Sequence, residues 1–285
     1  MAEWSGVRGK QFVITGATSG IGLAAARALA ARGARLAIVA RDEGRASAAA
    51  ASISASGGGA PVDVLLADLA VQTSVRGLAA EILRRWPRLD VLVNNAGAVF
   101  SARRLTADGV EMTWALNHLA PFLLTNLLLD QLKASAPARV ITTASDAHRG
   151  ARLRLDDLDG ARSPASLGFA RYGESKLANI LFTAELARRL EGTGVTAACF
   201  HPGVVRTNFN RNNGPLMNLG MTLIGPFVRS PERGAETLVW LAESPEVTAG
   251  GYYFDRKLTT PSPAARDMES ARRLWEASEA RVGSC

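Results

Sequence analysis

Cysteine is nearly absent. Cys199 and Cys285 are the only two among 285 residues, which excludes a disulfide framework and points to a reducing compartment. Cys199 lies in an apolar run and reads as a small buried hydrophobe. Histidine is as sparse: His118, His148 and His201 lack the spacing of metal ligands, so no metal is expected. His201 reads as a strand-end residue, and the other two as surface or supporting residues. No stretch of about 18 uncharged apolar residues occurs, so no membrane-spanning helix is expected. No apolar signal region precedes the strand-like Gln11–Thr15, so a cytoplasmic protein is expected. Lysine is confined to Lys10, Lys133, Lys176 and Lys257, and the net charge of +7 is carried by dispersed arginine. Without like-charge blocks or interleaved aromatics, that arginine reads as solvated surface and not as a nucleic-acid or membrane-binding face. No linker divides the chain. The small-residue tract Ser52–Ala60 reads as a surface loop, and a single domain over residues 1–285 is expected.

What is present is alternation. Short β-like apolar runs occur at Phe12–Thr15, Leu36–Ala40, Val62–Leu66, Val91–Asn94, Val140–Thr143, Thr196–Phe200 and Gly251–Phe254. Helical patterns separate them: Gly20–Ala31, Glu43–Ser54, Val71–Arg85, Gly109–Leu132, Phe169–Arg189 and Pro231–Ala242, with a charged amphipathic helix at Ala264–Arg281. Most of the apolar runs are too unbroken for strands that face water on one side. The pattern predicts an α/β fold: a doubly wound parallel sheet of about seven strands, with helices on both faces. In such sheets ligands bind at the carboxyl ends of the strands.

The motifs fall at those ends. The turn Thr15-Gly16-Ala17-Thr18-Ser19-Gly20-Ile21-Gly22 joins the first strand to the first helix. Gly16 permits the tight turn, Gly20 lets backbone approach a pyrophosphate, and Gly22 lets helix and strand pack closely. The helix N-terminus offers free N–H groups and a positive dipole end to phosphates. Thr18 and Ser19 add hydroxyl donors and helix-capping oxygens. Gly16, Thr18, Ser19, Gly20, Ile21 and Gly22 are therefore candidate contacts to a dinucleotide. The second strand ends Val39-Ala40-Arg41-Asp42. An acid at its end would bind a ribose 2′-OH, whereas the Arg41 guanidinium suits a 2′-phosphate. NADP(H) is expected in preference to NAD(H), with Asp42 able to meet the ribose if the alignment shifts by one residue. Asp68 and Leu69 follow the third strand and are candidates to flank adenine. Asn94-Asn95-Ala96-Gly97 ends the fourth strand, and small residues suit a backbone running close to cofactor at Asn95, Ala96 and Gly97.

Tyr172 and Lys176 are four apart and share a helix face. A nearby ammonium and an oxidised nicotinamide would favour phenolate, making Tyr172 a general acid/base, and Lys176 could also bond the nicotinamide ribose. Ser145 closes the fifth strand, where its hydroxyl can polarise a substrate carbonyl. Asn117 lies inside a long helix, where it can divert backbone hydrogen bonding and hold a water. After the sixth strand, Pro202 and Gly203 shape a loop that could pass under the nicotinamide, with Val205 and Thr207 as further candidate contacts. A Gly-, Asn-, Met- and Leu-rich stretch around residues 208–230 reads as a substrate lid.

In this order of motifs the chain resembles the short-chain dehydrogenase/reductase superfamily over nearly its whole length. It is most similar to the retinol-dehydrogenase-like branch, through Asn117-His118-Leu119-Ala120-Pro121-Phe122-Leu123-Leu124-Thr125 and Ser175-Lys176-Leu177-Ala178-Asn179-Ile180-Leu181-Phe182. Ser230-Pro231 and Arg273-Leu274-Trp275 also fit it. The resemblance implies a Rossmann fold, hydride transfer between NAD(P) and an alcohol or carbonyl, and catalytic roles for Asn117, Ser145, Tyr172 and Lys176. It implies a homodimer made through Gly109–Leu132 and Phe169–Arg189. The membrane-anchoring N-terminal segment of some relatives has no counterpart here, so a soluble protein with a different, moderately large apolar substrate is expected. Two other readings stay open: a non-redox tailoring enzyme performing dehydration or cyclisation, and a non-catalytic NADPH sensor that binds a protein partner.

Overall fold

A computed structural model describes residues 3–162, 168–205 and 228–283. Eight strands form one sheet in the order β3-β2-β1-β4-β5-β6-β7-β8. They are β1 (Gln11–Thr15), β2 (Arg35–Ala40), β3 (Val62–Leu66), β4 (Val91–Asn94), β5 (Ala138–Thr143), β6 (Val195–Phe200), β7 (Tyr252–Phe254) and β8 (Lys257–Leu258). The first seven are parallel, and β8 returns antiparallel to β7. The seven predicted strands are present, each within two residues of its expected ends. The eighth escaped notice because its hairpin turns on Asp255 and Arg256, at φ +47° and +64°. Asn or Gly is the usual sequence mark of such a turn.

Alternate residues of each strand feed two cores. Val13, Val39, Leu92 and Val140 face one side, while Phe12, Ile14, Ile38 and Val93 face the other. Burial on both faces explains the unbroken apolar runs. On one side lie α1 (Gly20–Ala30), α2 (Glu43–Ser56) and, later in the chain, Pro231–Glu243. On the other lie α3 (Gln72–Arg85) and the helices between β4 and β6. The tract read as a loop at Ser52–Ala60 is helical as far as Ser56. Ile53 has no exposed surface, and that buried anchor outweighs the poor helix propensity of the serines around it.

The long helix expected over Gly109–Leu132 is broken into α4 (Met112–Trp114), a π-helical turn (Ala115–Leu119), α5 (Ala120–Leu127) and α6 (Leu129–Ala134). Pro121 is one cause. It has no N–H, so the bond that would reach back four residues to the Asn117 carbonyl cannot form. The Ala120 N–H instead reaches Ala115, five residues back. Next come α7 (Gly168–Arg189), α8 (Pro231–Glu243) and α9 (Met268–Val282). Helix α8 begins with Pro231 in its first turn and Ser230 accepting the Arg233 N–H at 3.2 Å. The helix expected at Ala264–Arg281 starts later, because Asp267 caps α9 after a short 3₁₀ turn, Pro263–Arg266.

Helix α9 lies across α5 and α7. Trp275 packs on Phe122 and Phe182 at centroid distances of 4.9 and 5.9 Å. His118 Nε2 is 2.8 Å from Ser278 Oγ, and Arg189 sits over the Trp275 ring. From Gly173 to Thr183 every residue of α7 is buried, as befits a helix sandwiched between sheet and helix. Part of the helix surface through which the resemblance implied a homodimer, on α7 and around Phe122, thus carries the chain's own α9. Among the described residues, no helix is long and apolar enough to cross a membrane.

Candidate active site

The ends of β1, β4, β5 and β6 stand side by side, with Ile14 beside Val93, Asn94 beside Thr142 and Thr143 beside Phe200. The strand order reverses between β1 and β4, where a crevice opens in such sheets. The glycine-rich turn lies there. Gly16 and Gly20 have φ of +70° and +55°. A Cβ on Gly16 would stand 2.8 Å from the Ala96 Cα, and one on Gly22 would overlap the Gly16 carbonyl oxygen and approach Asn95 Nδ2 to 2.5 Å. Side chains at either position would separate β1, α1 and the loop after β4.

Thr15 and Asn95 join those pieces. Thr15 Oγ1 accepts the Asn95 and Ala96 N–H groups at 2.9 and 3.0 Å, and Asn95 Nδ2 donates to the Thr15 and Gly16 carbonyls at 3.1 and 3.3 Å. Thr143 Oγ1 donates to Asn95 Oδ1 at 3.2 Å, which carries the lattice to β5. Asn95, Ala96 and Gly97 are therefore held against the turn. Ser19 occupies the N-cap position of α1, but its side chain makes no capping bond and no acidic residue enters the first turn. This corrects the expected capping role and leaves the N-terminal N–H groups of α1 without an anionic neighbour from that turn, as a phosphate site requires.

Arg41 follows β2, is exposed and has no ion pair or side-chain hydrogen bond among the described residues. Asp42 is otherwise engaged: its carboxylate accepts the Arg45 N–H at 2.7 Å and caps α2. Asp68 lies past β3 and accepts the Ala70 N–H at 3.0 Å, with Leu69 half-buried beside it. At the opposite flank Gly203 has φ +80°, and a Cβ there would strike the Arg229 guanidinium. Pro202 precedes it. Val205 bridges to Arg229, and Val205 and Ile21 both crowd Gly234 at the start of α8. Thr207 and nearly all of the expected lid at 208–230 lie outside the described residues.

The four residues expected to act together are brought together. Lys176 is buried, and its Nζ donates to the Thr143 carbonyl at 2.9 Å and lies 5.5 Å from the Tyr172 ring centroid. Tyr172 is half-buried and hydrogen-bonds Ser145. Asn117 has no exposed surface. Its Oδ1 accepts the Ala98 N–H at 2.9 Å, and its Nδ2 donates to the Ala98 carbonyl and to Ser175 Oγ, each at 3.0 Å. A Cβ on Gly97 would meet Asn117 Oδ1 at 3.1 Å and Lys176 Nζ at 3.5 Å. Both Nδ2 protons and one lone pair of Oδ1 are thus committed to protein.

Electrostatics refine the expectation for the pair. Burial pushes the Tyr172 phenol up to about 12, with the Ser145 hydrogen bond pulling it back only in part. Burial lowers Lys176 to about 8. The ammonium contacts a carbonyl and stands off the ring, so desolvation outweighs its pull on the phenol. Without cofactor the phenol keeps its proton at neutral pH.

Sequence reasoning missed several supports. A Cβ on Gly173 would lie 2.7 Å from the Ala147 carbonyl, so this glycine lets α7 bring Tyr172 to the turn carrying Ser145. Ser175 donates to the Tyr172 carbonyl at 2.7 Å. Arg171 links Glu111 and Glu174 at 3.0 and 2.8 Å, tying the start of α7 to the N-cap of α4. Tyr172-Gly173 was on view, but nothing local to it reveals the distant Ala147. His118 is no surface residue. It is buried among Trp114, Phe122 and Phe182 and lowered to about 3 by burial, hence neutral.

Fold and site define a doubly wound α/β protein with a glycine-rich turn at the switch point and a Ser/Tyr/Lys cluster at the ends of adjoining strands. The short chain dehydrogenase family matches residues 10–155. A protein of Streptomyces sp. (strain C5), provisionally named a daunorubicin C-13 ketoreductase, is 45% identical over 98% of this chain and 94% of its own length. Retinol dehydrogenase 12 of Bos taurus is 46% identical over 95% of this chain and 85% of its own. The crystal structure of a short chain dehydrogenase from Burkholderia cenocepacia J2315, in complex with NADP, has a TM-score of 0.69 and 27% identity, covering 90% of this chain and 98% of that one. The chain belongs to the short-chain dehydrogenases, oxidoreductases acting on CH–OH and C=O groups, and within them to the retinol-dehydrogenase-like branch.

Proposed function

We propose that the chain is an NADP(H)-dependent oxidoreductase interconverting an alcohol and a carbonyl on a moderately large apolar substrate in the cytoplasm. The observation that carries this reading is the cluster at the end of β5, where Tyr172 bonds Ser145 beside the buried Lys176. The crevice fits the cofactor in three respects. The glycines at 16 and 22 let β1, α1 and the loop after β4 close on one another at the strand ends, the α1 N-terminus has no acidic residue in its first turn, and among the described residues Arg41 has no protein partner while Asp42 caps a helix. NADP in the Burkholderia relative and the retinoid and anthracycline names of the others support the cofactor and the apolar substrate.

When bound, the nicotinamide supplies hydride for reduction or accepts it in oxidation. Arg41 would hold the 2′-phosphate, and the α1 N-terminus with Thr18 and Ser19 would hold the pyrophosphate. Ser145 donates to the substrate oxygen and stabilises the negative charge that develops there. Tyr172 gives that oxygen its proton. Lys176 and a water on the Asn117 carbonyl restore the proton to Tyr172. Replacing Tyr172 by Phe is expected to lower kcat about 10²- to 10⁴-fold, with NADPH binding retained in a fluorescence titration. Undiminished turnover would refute the assignment.

A further inference from the structure

His148 is the one buried residue of the short 3₁₀ helix Asp146–Gly150 that follows β5, and it has no exposed surface. Both of its ring nitrogens are committed. Nε2 receives the Ser262 N–H at 3.1 Å and so carries the lone pair. Nδ1 therefore carries the proton, and it donates to the Ser145 carbonyl at 2.7 Å. The ring packs edge-on against Tyr252 with centroids 5.1 Å apart. A single neutral tautomer satisfies both neighbours.

The Ser145 carbonyl also accepts the His148 backbone N–H, at a longer 3.3 Å, so the shorter imidazole bond is its tighter restraint. Ser145 Oγ accepts the Ala147 N–H at 3.2 Å, which turns the chain, and the residue is half-buried. Its carbonyl peptide is held by His148 from one side, while Gly173 lets α7 press on the same turn from the other. Ser262 precedes the 3₁₀ turn at Pro263–Arg266, so the imidazole ties the Ser145 turn to the C-terminal part of the chain.

The geometry points to His148 as a positioning residue that orients Ser145 toward Tyr172 by pinning the Ser145 carbonyl to the Ser262 backbone. This rests on the Ser145–Tyr172 reading above. Protonating Nε2 would set two N–H groups against each other at Ser262 and loosen the turn. His148 faces Asp146 and Arg149 from its own turn, His201 beyond β6 and Tyr252 on β7. Burial, with Arg149, holds it below the usual histidine range, against the Ser145 hydrogen bond and Asp146, which oppose them. The loosening is therefore confined to acid pH.

The test uses the full chain, NADPH and a panel of apolar aldehydes and ketones that includes retinal, read on the compound the wild type reduces fastest. His148→Phe keeps the ring but has neither nitrogen. Its kcat is expected to fall about 10- to 100-fold, with NADPH affinity within about twofold of wild type. His148→Asn can still donate to the Ser145 carbonyl, and it is expected to recover part of the kcat and to lose the acid limb of the wild-type pH profile. Unchanged kcat in His148→Phe would overturn the inference. So would an acid limb that persists in His148→Asn, whatever the thermal stability of either variant. Tyr172→Phe is the control: if it stays active, or if the wild type reduces nothing in the panel, the functional reading itself fails.

Discussion

Lys176 and Arg41 are the residues whose charge most directly governs what the site can do. Burial lowers Lys176 to about 8, so below pH 8 it is an ammonium and above it a neutral amine without a proton to pass on. Tyr172, pushed up to about 12, remains a phenol across this range. The kcat/KM for NADPH in carbonyl reduction, which reports the free enzyme, is therefore expected to be level from neutral pH up to about 8, above the acid limb assigned to His148, and to decline beyond it. A profile level to pH 10 would count against a protonated Lys176. Arg41 is exposed and unpaired among the described residues, and charge-assisted hydrogen bonds contribute about 1.5–3 kcal/mol. Arg41→Ala is expected to weaken NADPH about 10- to 100-fold in a binding titration while NADH is little affected. Equal losses for both cofactors would remove Arg41 from the phosphate. Asp42, the rival for that position, spends its carboxylate on the N-cap of α2. That division of labour could not be read from two adjacent residues, because a cap is defined by where the helix starts. The same holds for Ser19, which stands at a cap position without capping.

Among the elements, the broken helix after β4 is where chemistry overrode pattern. Its apolar spacing reads as one helix, yet Pro121 stands four residues beyond Asn117, and the backbone answers with a π turn over Ala115–Leu119. Both residues were visible in the sequence, and the mid-helix Asn had been read as a place where backbone bonding is diverted. The exact form of that diversion depends on Asn117 gripping Ala98 across the gap to β4, a tertiary contact. Pro121→Ala would restore an N–H to the helix. It is expected to leave the melting temperature unchanged or raise it, while lowering kcat, because the restored N–H would compete for the Asn117 carbonyl to which the proposed water is assigned. A faster or equally fast variant would show that this carbonyl is irrelevant to turnover. The strands were legible because two-sided burial leaves uninterrupted apolar runs. Strand β8 was not, being two exposed residues beyond an Asp-Arg turn.

For the whole molecule, α9 is the piece that local pattern could not place. Its amphipathic character was evident, but its seat was not, since Trp275 and Ser278 meet Phe122 and His118 from a distant part of the chain. It occupies part of the face through which the resemblance implied pairing, packing along α7 and reaching Phe122. Trp275 is nearly fully buried there, and truncating a buried Trp costs about 3–5 kcal/mol. Trp275→Ala is expected to lower the melting temperature by about 10 °C or more. A shift within experimental error would mean that α9 is not docked in this way.

The central claim is that Tyr172 protonates a carbonyl that receives hydride from NADPH. It is tested most directly by following deuterium from NADPH labelled at the transferring position of the nicotinamide into the alcohol product, in single turnovers of wild type and Tyr172→Phe. The expected result is one deuterium on the former carbonyl carbon, formed at least about 100-fold more slowly by the variant. Substrate consumed with the label still on NADPH, or equal rates in the two proteins, would contradict it.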